Sequence, residues 1–206
     1  MEKFVVNGGK KLTGQVSVSG SKNVATKLLI ASLLTPEEVT IENVPRISDF
    51  ETISEIVKDL GVDVSFTDNT VKVKAKRLTD YEIPLEAGAR VRSSSMLMAP
   101  LLVRAGKALI PNPGGCRIGA RPIDRTIEGL SKMSTSVRYV SKDGYFHAQG
   151  GVLKGTTYTF EKNTHTGTET LIMAAVLARG RTVLKNAAEE PEVDDLIAFL
   201  TSMGAS

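Results

Sequence analysis

Cysteine is nearly absent: Cys116 is the single thiol in 206 residues. It cannot form an internal disulfide, so the core alone must hold the fold, and a reducing cytoplasm is the simplest home. Histidine is as scarce. His147 and His165 lie far apart, too few to build the usual nitrogen and sulfur shell of a structural metal. Tryptophan is missing and aromatics make up 5% of the chain, so base-stacking platforms are poorly supplied. Neither charge dominates: 26 basic and 23 acidic residues leave +3, too little to imply nucleic acid. No apolar run approaches the roughly 20 residues that cross a bilayer, and Met1–Asn7 lacks the apolar core of a secretory signal. What is present is the composition of an ordinary soluble domain, 41% hydrophobic and 24% charged.

Self-similarity organises the chain. Leu28, Leu97 and Ile172 stand at equivalent places, 69 and 75 residues apart. Each opens the same order: an apolar helix, a short strand, a loop with an acidic residue, then an amphipathic helix. The short strands are expected within Val39–Pro45, Ala108–Pro113 and Thr182–Ala187. In the second helix of the first unit, Ile53, Ile56, Val57 and Leu60 fall on one face. Gly61 and Gly204 are placed for left-handed caps, and Ser134 stands there in the second unit, a weaker cap. Hairpins follow in units one and two, 62–66 with 71–75 around Asp68-Asn69, and 137–140 with 145–148 around Asp143-Gly144. The third unit reaches Ser206 where its hairpin should begin, so a truncated repeat with an unpaired sheet edge is expected.

The chemically distinctive stretch is the loop Pro111-Asn112-Pro113-Gly114-Gly115-Cys116-Arg117-Ile118-Gly119-Ala120-Arg121-Pro122-Ile123-Asp124. Its glycines allow sharp bends or closure over a ligand. Arg117, Arg121 and Arg125 near Cys116 bias the thiol toward thiolate, a better nucleophile and a tunable acid.

Together with Ser19-Gly20-Ser21-Lys22-Asn23, Arg92 before a Ser-rich helix entry, and Glu190-Pro191-Glu192, this loop resembles the UDP-N-acetylglucosamine 1-carboxyvinyltransferases, a family of enolpyruvyl transferases. The resemblance covers essentially the whole chain. It implies a mixed α/β fold, an inside-out α/β barrel of three βαβαββ-type repeats at about 22–80, 81–150 and 151–206, the third cut short. It also implies that residues 1–21 give an initial strand to a second domain otherwise missing, and that 22–206 form the transferase domain. The implied reaction moves the enolpyruvyl group of phosphoenolpyruvate to the 3-hydroxyl of UDP-N-acetylglucosamine and releases phosphate, in peptidoglycan precursor synthesis. Phosphoenolpyruvate is then a co-substrate, and no cofactor, metal, nucleic acid or membrane partner is expected.

By the same resemblance, Cys116 donates a proton to the methylene carbon, forms a covalent adduct, and is the target of the epoxide fosfomycin. Lys22 and Arg121 bind phosphoenolpyruvate and offset its charge. Asn23 supplies amide hydrogen bonds to substrate, and Arg92, Arg121, Pro122, Ile123, Asp124, Arg125, Thr164, His165 and Thr166 take the nucleotide sugar, with Asp124 accepting from the uracil N–H. The 164–167 stretch departs from the family in residue type and is one residue longer. Taken singly, Lys22 reads as a solvated helix-entry charge, Arg92 as half of a surface ion pair, and His165 as a solvent-facing residue before a helix. The general-base aspartate of the family falls beyond residue 206, so the isolated chain is expected to be catalytically incomplete. Three other readings stay open: a transferase like 5-enolpyruvylshikimate-3-phosphate synthase, a non-catalytic nucleotide-sugar-binding module, and RNA binding by a basic face.

Overall fold

The computed structural model describes residues 3–114 and 122–206. Ser21 Oγ accepts from the backbone N–H of Val24 and opens α1 (Lys22–Ala31), which tightens into a 3-10 turn at Ser32–Leu34. β1 (Glu38–Ile41) leads to α2 (Ser48–Asp59), whose Ile53, Ile56 and Val57 make the buried stripe that the spacing predicts. Gly61 leaves the helix at φ +86°, the left-handed cap. β2 (Asp63–Thr67) and β3 (Thr70–Lys74) then form the hairpin. β3 lies between β1 and β2 and is antiparallel to both, with Val73 opposite Val39 and Val71 opposite Phe66. Val71 and Val73 are buried while Lys72 and Lys74 face out, the two-residue period of a half-buried strand.

Phe50, fully buried, meets Phe66 edge-on at 6.2 Å. Truncating Phe50 to alanine is expected to cost about 3–5 kcal/mol, the range for a buried phenylalanine. Urea unfolding reads this directly, and a loss below about 1 kcal/mol would contradict the packing described.

The second unit repeats the plan. α3 (Leu85–Arg90) precedes a 3-10 helix, Arg92–Leu97, and α4 (Met98–Ala105). Then come β4 (Lys107–Pro111), α5 (Asp124–Lys132), β5 (Thr135–Val140) and β6 (Tyr145–Gly150), in the sheet order β4-β6-β5. The expected apolar helix at 96–103 is split at Leu97/Met98. Pro100 explains the break, because it lacks an N–H and its ring crowds the carbonyl four residues back. Ser134 itself adopts φ +70°, so the cap keeps its geometry without glycine. Glu82 adds a parallel bridge to Leu109 on the outer side of β4.

In the third unit, β7 (Thr157–Thr159) runs parallel to β8 (Val183–Lys185), with α6 (His165–Val176) between them and α7 (Pro191–Ser202) after. β8 corresponds to β1 and β4, whose other sides carry β3 and β6. Among the described residues β8 has no such neighbour, and a groove of about 1000 Å³ lies there, lined by Ile172, Val176, Leu184, Val193 and Ile197. Residues 3–19 carry no strand pairing and leave Phe4, Val6, Leu12, Val16 and Val18 exposed.

Helices meet in the middle. The 3-10 helix Arg92–Leu97 packs on both α1 and α6, and α4 packs on α6. One apolar cluster runs through all three units, from Leu29 and Phe50 through Leu97 and Leu101 to Leu171 and Leu196.

Candidate active site

The central packing brings several helix starts together. An N-terminus presents unpaired N–H groups and the positive end of the helix dipole, so such a cluster suits an anion. Lys22 and Asn23 open α1, Asp124 and Arg125 open α5, and His165 and Thr166 open α6. Arg92 opens the 3-10 helix between them.

Lys22 Nζ lies 2.5 Å from Asp49 Oδ2 in the first turn of α2, and both side chains are exposed. Such a pair is worth roughly 0–1 kcal/mol, so the ammonium is easily drawn to a polyanion. Asn23 Nδ2 donates to Glu192 Oε1 (3.4 Å) at the start of α7. That bond, after a backbone N–H in the same turn, holds the Glu192 carboxyl below the usual range. Thr164 caps α6 by accepting from Gly167 N–H at 3.3 Å. At Gly167 the two helices come close: an added Cβ would sit 2.4 Å from Thr164 Cγ2 and 3.2 Å from Thr126 Oγ1 of α5. The starts of α5 and α6 are therefore adjacent.

In the cysteine loop, an added Cβ on Gly114 would lie 1.5 Å from the Ala89 carbonyl oxygen, a close approach that requires glycine. Ile123 is buried before α5, Pro122 is exposed, and Arg125 Nε is buried with no hydrogen bond among the described residues. Cys116 and Arg121 lie outside the described residues.

His165 was read from the sequence as a binding residue or a solvent-facing one, and the structure ties it inward. Its Nε2 stands 3.3 Å from Lys27 Nζ, 3.3 Å from Glu169 Oε1 and 4.0 Å from Glu192 Oε2. Lys27 and Glu169 form an ion pair, with side chains 7% and 0% exposed. Burial pushes the Glu169 carboxyl up to about 7 although Lys27 pulls it down. Burial, then the Lys27 charge, lowers the pKa of His165, with Glu190 and Glu192 opposing. Sequence reading missed Lys27 and Glu169. The available signal was one lysine and one glutamate on otherwise apolar helix faces. No group of three or more potential metal ligands occurs among the described residues.

Residues 6–206 match the family model of EPSP synthase (3-phosphoshikimate 1-carboxyvinyltransferase). The chain belongs to the enolpyruvyl transferases. Within that family it is 44% identical over 209 residues to the UDP-N-acetylglucosamine 1-carboxyvinyltransferase of Acidobacterium capsulatum, and 44% identical over 206 residues to that of Solibacter usitatus. Both matches take in 100% of this chain but only 48% and 49% of the relatives, so it spans about half their length. The enolpyruvyl transferase NikO from Streptomyces tendae superposes with a TM-score of 0.82 over 97% of this chain and 47% of that one, at 23% identity. The EPSP synthase of Acinetobacter baumannii gives 0.69 over 88% of this chain and 42% of its own, at 17% identity. The mixed α/β architecture is thus the enolpyruvyl transferase fold. No helix among the described residues is long and apolar enough to cross a membrane.

Proposed function

We propose that this chain supplies one half of an enzyme that transfers the enolpyruvyl group of phosphoenolpyruvate to the 3-hydroxyl of UDP-N-acetylglucosamine and releases phosphate. The supporting observation is the 44% identity to relatives of that name, sustained across the whole chain. The grouping of helix starts gives the reading its physical sense, since both substrates are polyanions.

In this reading Lys22 leaves Asp49 for phosphoenolpyruvate, and Arg121 grips phosphate or carboxylate through its planar fork. Cys116 supplies the proton to the methylene carbon as the sugar oxygen adds, and a proton leaves the resulting methyl group as phosphate departs, restoring the double bond. Asn23, Arg92, Asp124, Arg125 and the start of α6 hold the nucleotide sugar, with the Asp124 carboxylate accepting from the uracil N–H. The base that takes the hydroxyl proton is assigned to the part of these relatives that this chain does not span, so residues 1–206 alone are expected to bind but not turn over. The reading places the protein in the cytoplasm.

The test is a chimera in which residues 1–206 replace the matching half of the Acidobacterium capsulatum relative. Phosphate release that needs both phosphoenolpyruvate and UDP-N-acetylglucosamine is expected from the chimera, and none above background from the chain alone. Release that follows shikimate 3-phosphate instead would overturn the substrate assignment. Turnover by the isolated chain at the chimera's rate would overturn the shared-site reading.

A further inference from the structure

Lys27 has no place in the chemistry above, yet it lies buried between α1 and α6 with Glu169 and the ring of His165. An ammonium carries donors only. At 3.3 Å from Lys27 Nζ, Nε2 of His165 is placed to present its lone pair, since an N–H there would set donor against donor. The same nitrogen is 3.3 Å from Glu169 Oε1, but that oxygen is already engaged more closely by Lys27. Among the described residues, the other charges acting on the ring are Glu190, just before α7, and Glu192 in its first turn, and Glu192 is itself held by Asn23.

We propose that Lys27 and Glu169 are positioning residues: Lys27 donates to Nε2 of His165 and fixes the ring as the neutral Nδ1–H tautomer. Position 165 thereby offers a hydrogen-bond donor, not a positive charge, to an oxygen of the nucleotide sugar. The last clause rests on the proposed nucleotide-sugar site; the tautomer does not. Burial, which disfavours an imidazolium, acts in the same direction.

Ring 15N spectra of the 206-residue chain test the first part without ligand, and with two histidines the assignment is simple. His147, hydrogen-bonded to Asp143 Oδ2 at 2.7 Å, serves as the internal reference. At neutral pH, His165 should show a protonated Nδ1 and a bare Nε2. The double substitution Lys27→Met/Glu169→Leu removes both charges together, leaving neither unpaired, and should move the proton toward Nε2. A wild-type ring protonated at Nε2, or a double variant that keeps the bare Nε2, overturns the proposal.

Calorimetric titration with UDP-N-acetylglucosamine tests the second part. The double variant should bind about fivefold more weakly, the scale of one hydrogen bond. In a His165→Ala background the same pair of changes should cost nothing more, because the pair acts through the ring. Additive losses, or an undiminished affinity alongside a changed tautomer, overturn the donor role. A wild-type chain that shows the stated tautomer but no affinity for the nucleotide sugar refutes the site reading and leaves the positioning claim standing.

Discussion

Alanine at position 116 is expected to slow phosphate release by the chimera by about 10²–10⁴-fold, the range that a positioned general acid contributes. The argument is chemical. In the proposed reaction phosphoenolpyruvate gains a proton on carbon, and water is a poor donor at neutral pH. In the proposed reading the donor is Cys116, whose neighbours in sequence include Arg117, Arg121 and Arg125, and nearby cations favour thiolate character. The loss should fall on kcat, with the KM for UDP-N-acetylglucosamine changing little, since the proton moves only as the transition state forms. An alanine variant within tenfold of the parent rate would remove Cys116 from the mechanism.

Lys27→Ala is expected to destabilise the fold by about 3–5 kcal/mol at pH 8, because it strands the buried Glu169 carboxylate. The loss should shrink on acidification. In the intact protein, burial raises the Glu169 pKa from 4.5 to about 7, so the folded state holds a proton that the unfolded state releases. Its contribution to stability is therefore fully present below about pH 4.5 and fades as pH climbs toward 7. His165 acts in the opposite sense: its folded pKa lies below 6.5, so its contribution is present above that pH and is lost as pH falls. Without Lys27 the carboxyl is pushed higher still, and the penalty concentrates at the alkaline end. Urea unfolding of both proteins at pH 5 and pH 8 measures the difference. Equal destabilisation at the two values would show that the lysine acts by packing alone.

Much of the fold was legible beforehand because it is local. The stripe Ile53-Ile56-Val57, the alternation in 71–75, and Gly61 as a left-handed cap each depend on side-chain period or backbone freedom within a few residues. The split at Leu97/Met98 was also local, yet it was missed, because hydrophobic period alone outweighed what Pro100 does to the turn before it. Lys22, Asn23, Asp124 and Arg125 stand out in the sequence through their resemblance to the family's motifs, and the structure places them at the starts of α1 and α5. The partners Asp49 and Glu192 were not, since nothing near them in sequence marks what they meet.

By itself the sequence determined the three-unit plan and the single thiol among arginines, because period, turn chemistry and spacing survive in one dimension, and its motifs carried the resemblance to the enolpyruvyl transferases that the family match bears out. Only the tertiary structure decided that Lys27, Glu169 and His165 form one buried cluster, and that the starts of α5 and α6 touch at Gly167. Lys27 and Glu169 are 142 residues apart in the chain. Their contact follows from how α1 and α6 pack, and burial, set by the whole fold, is what gives the pair its energetic weight.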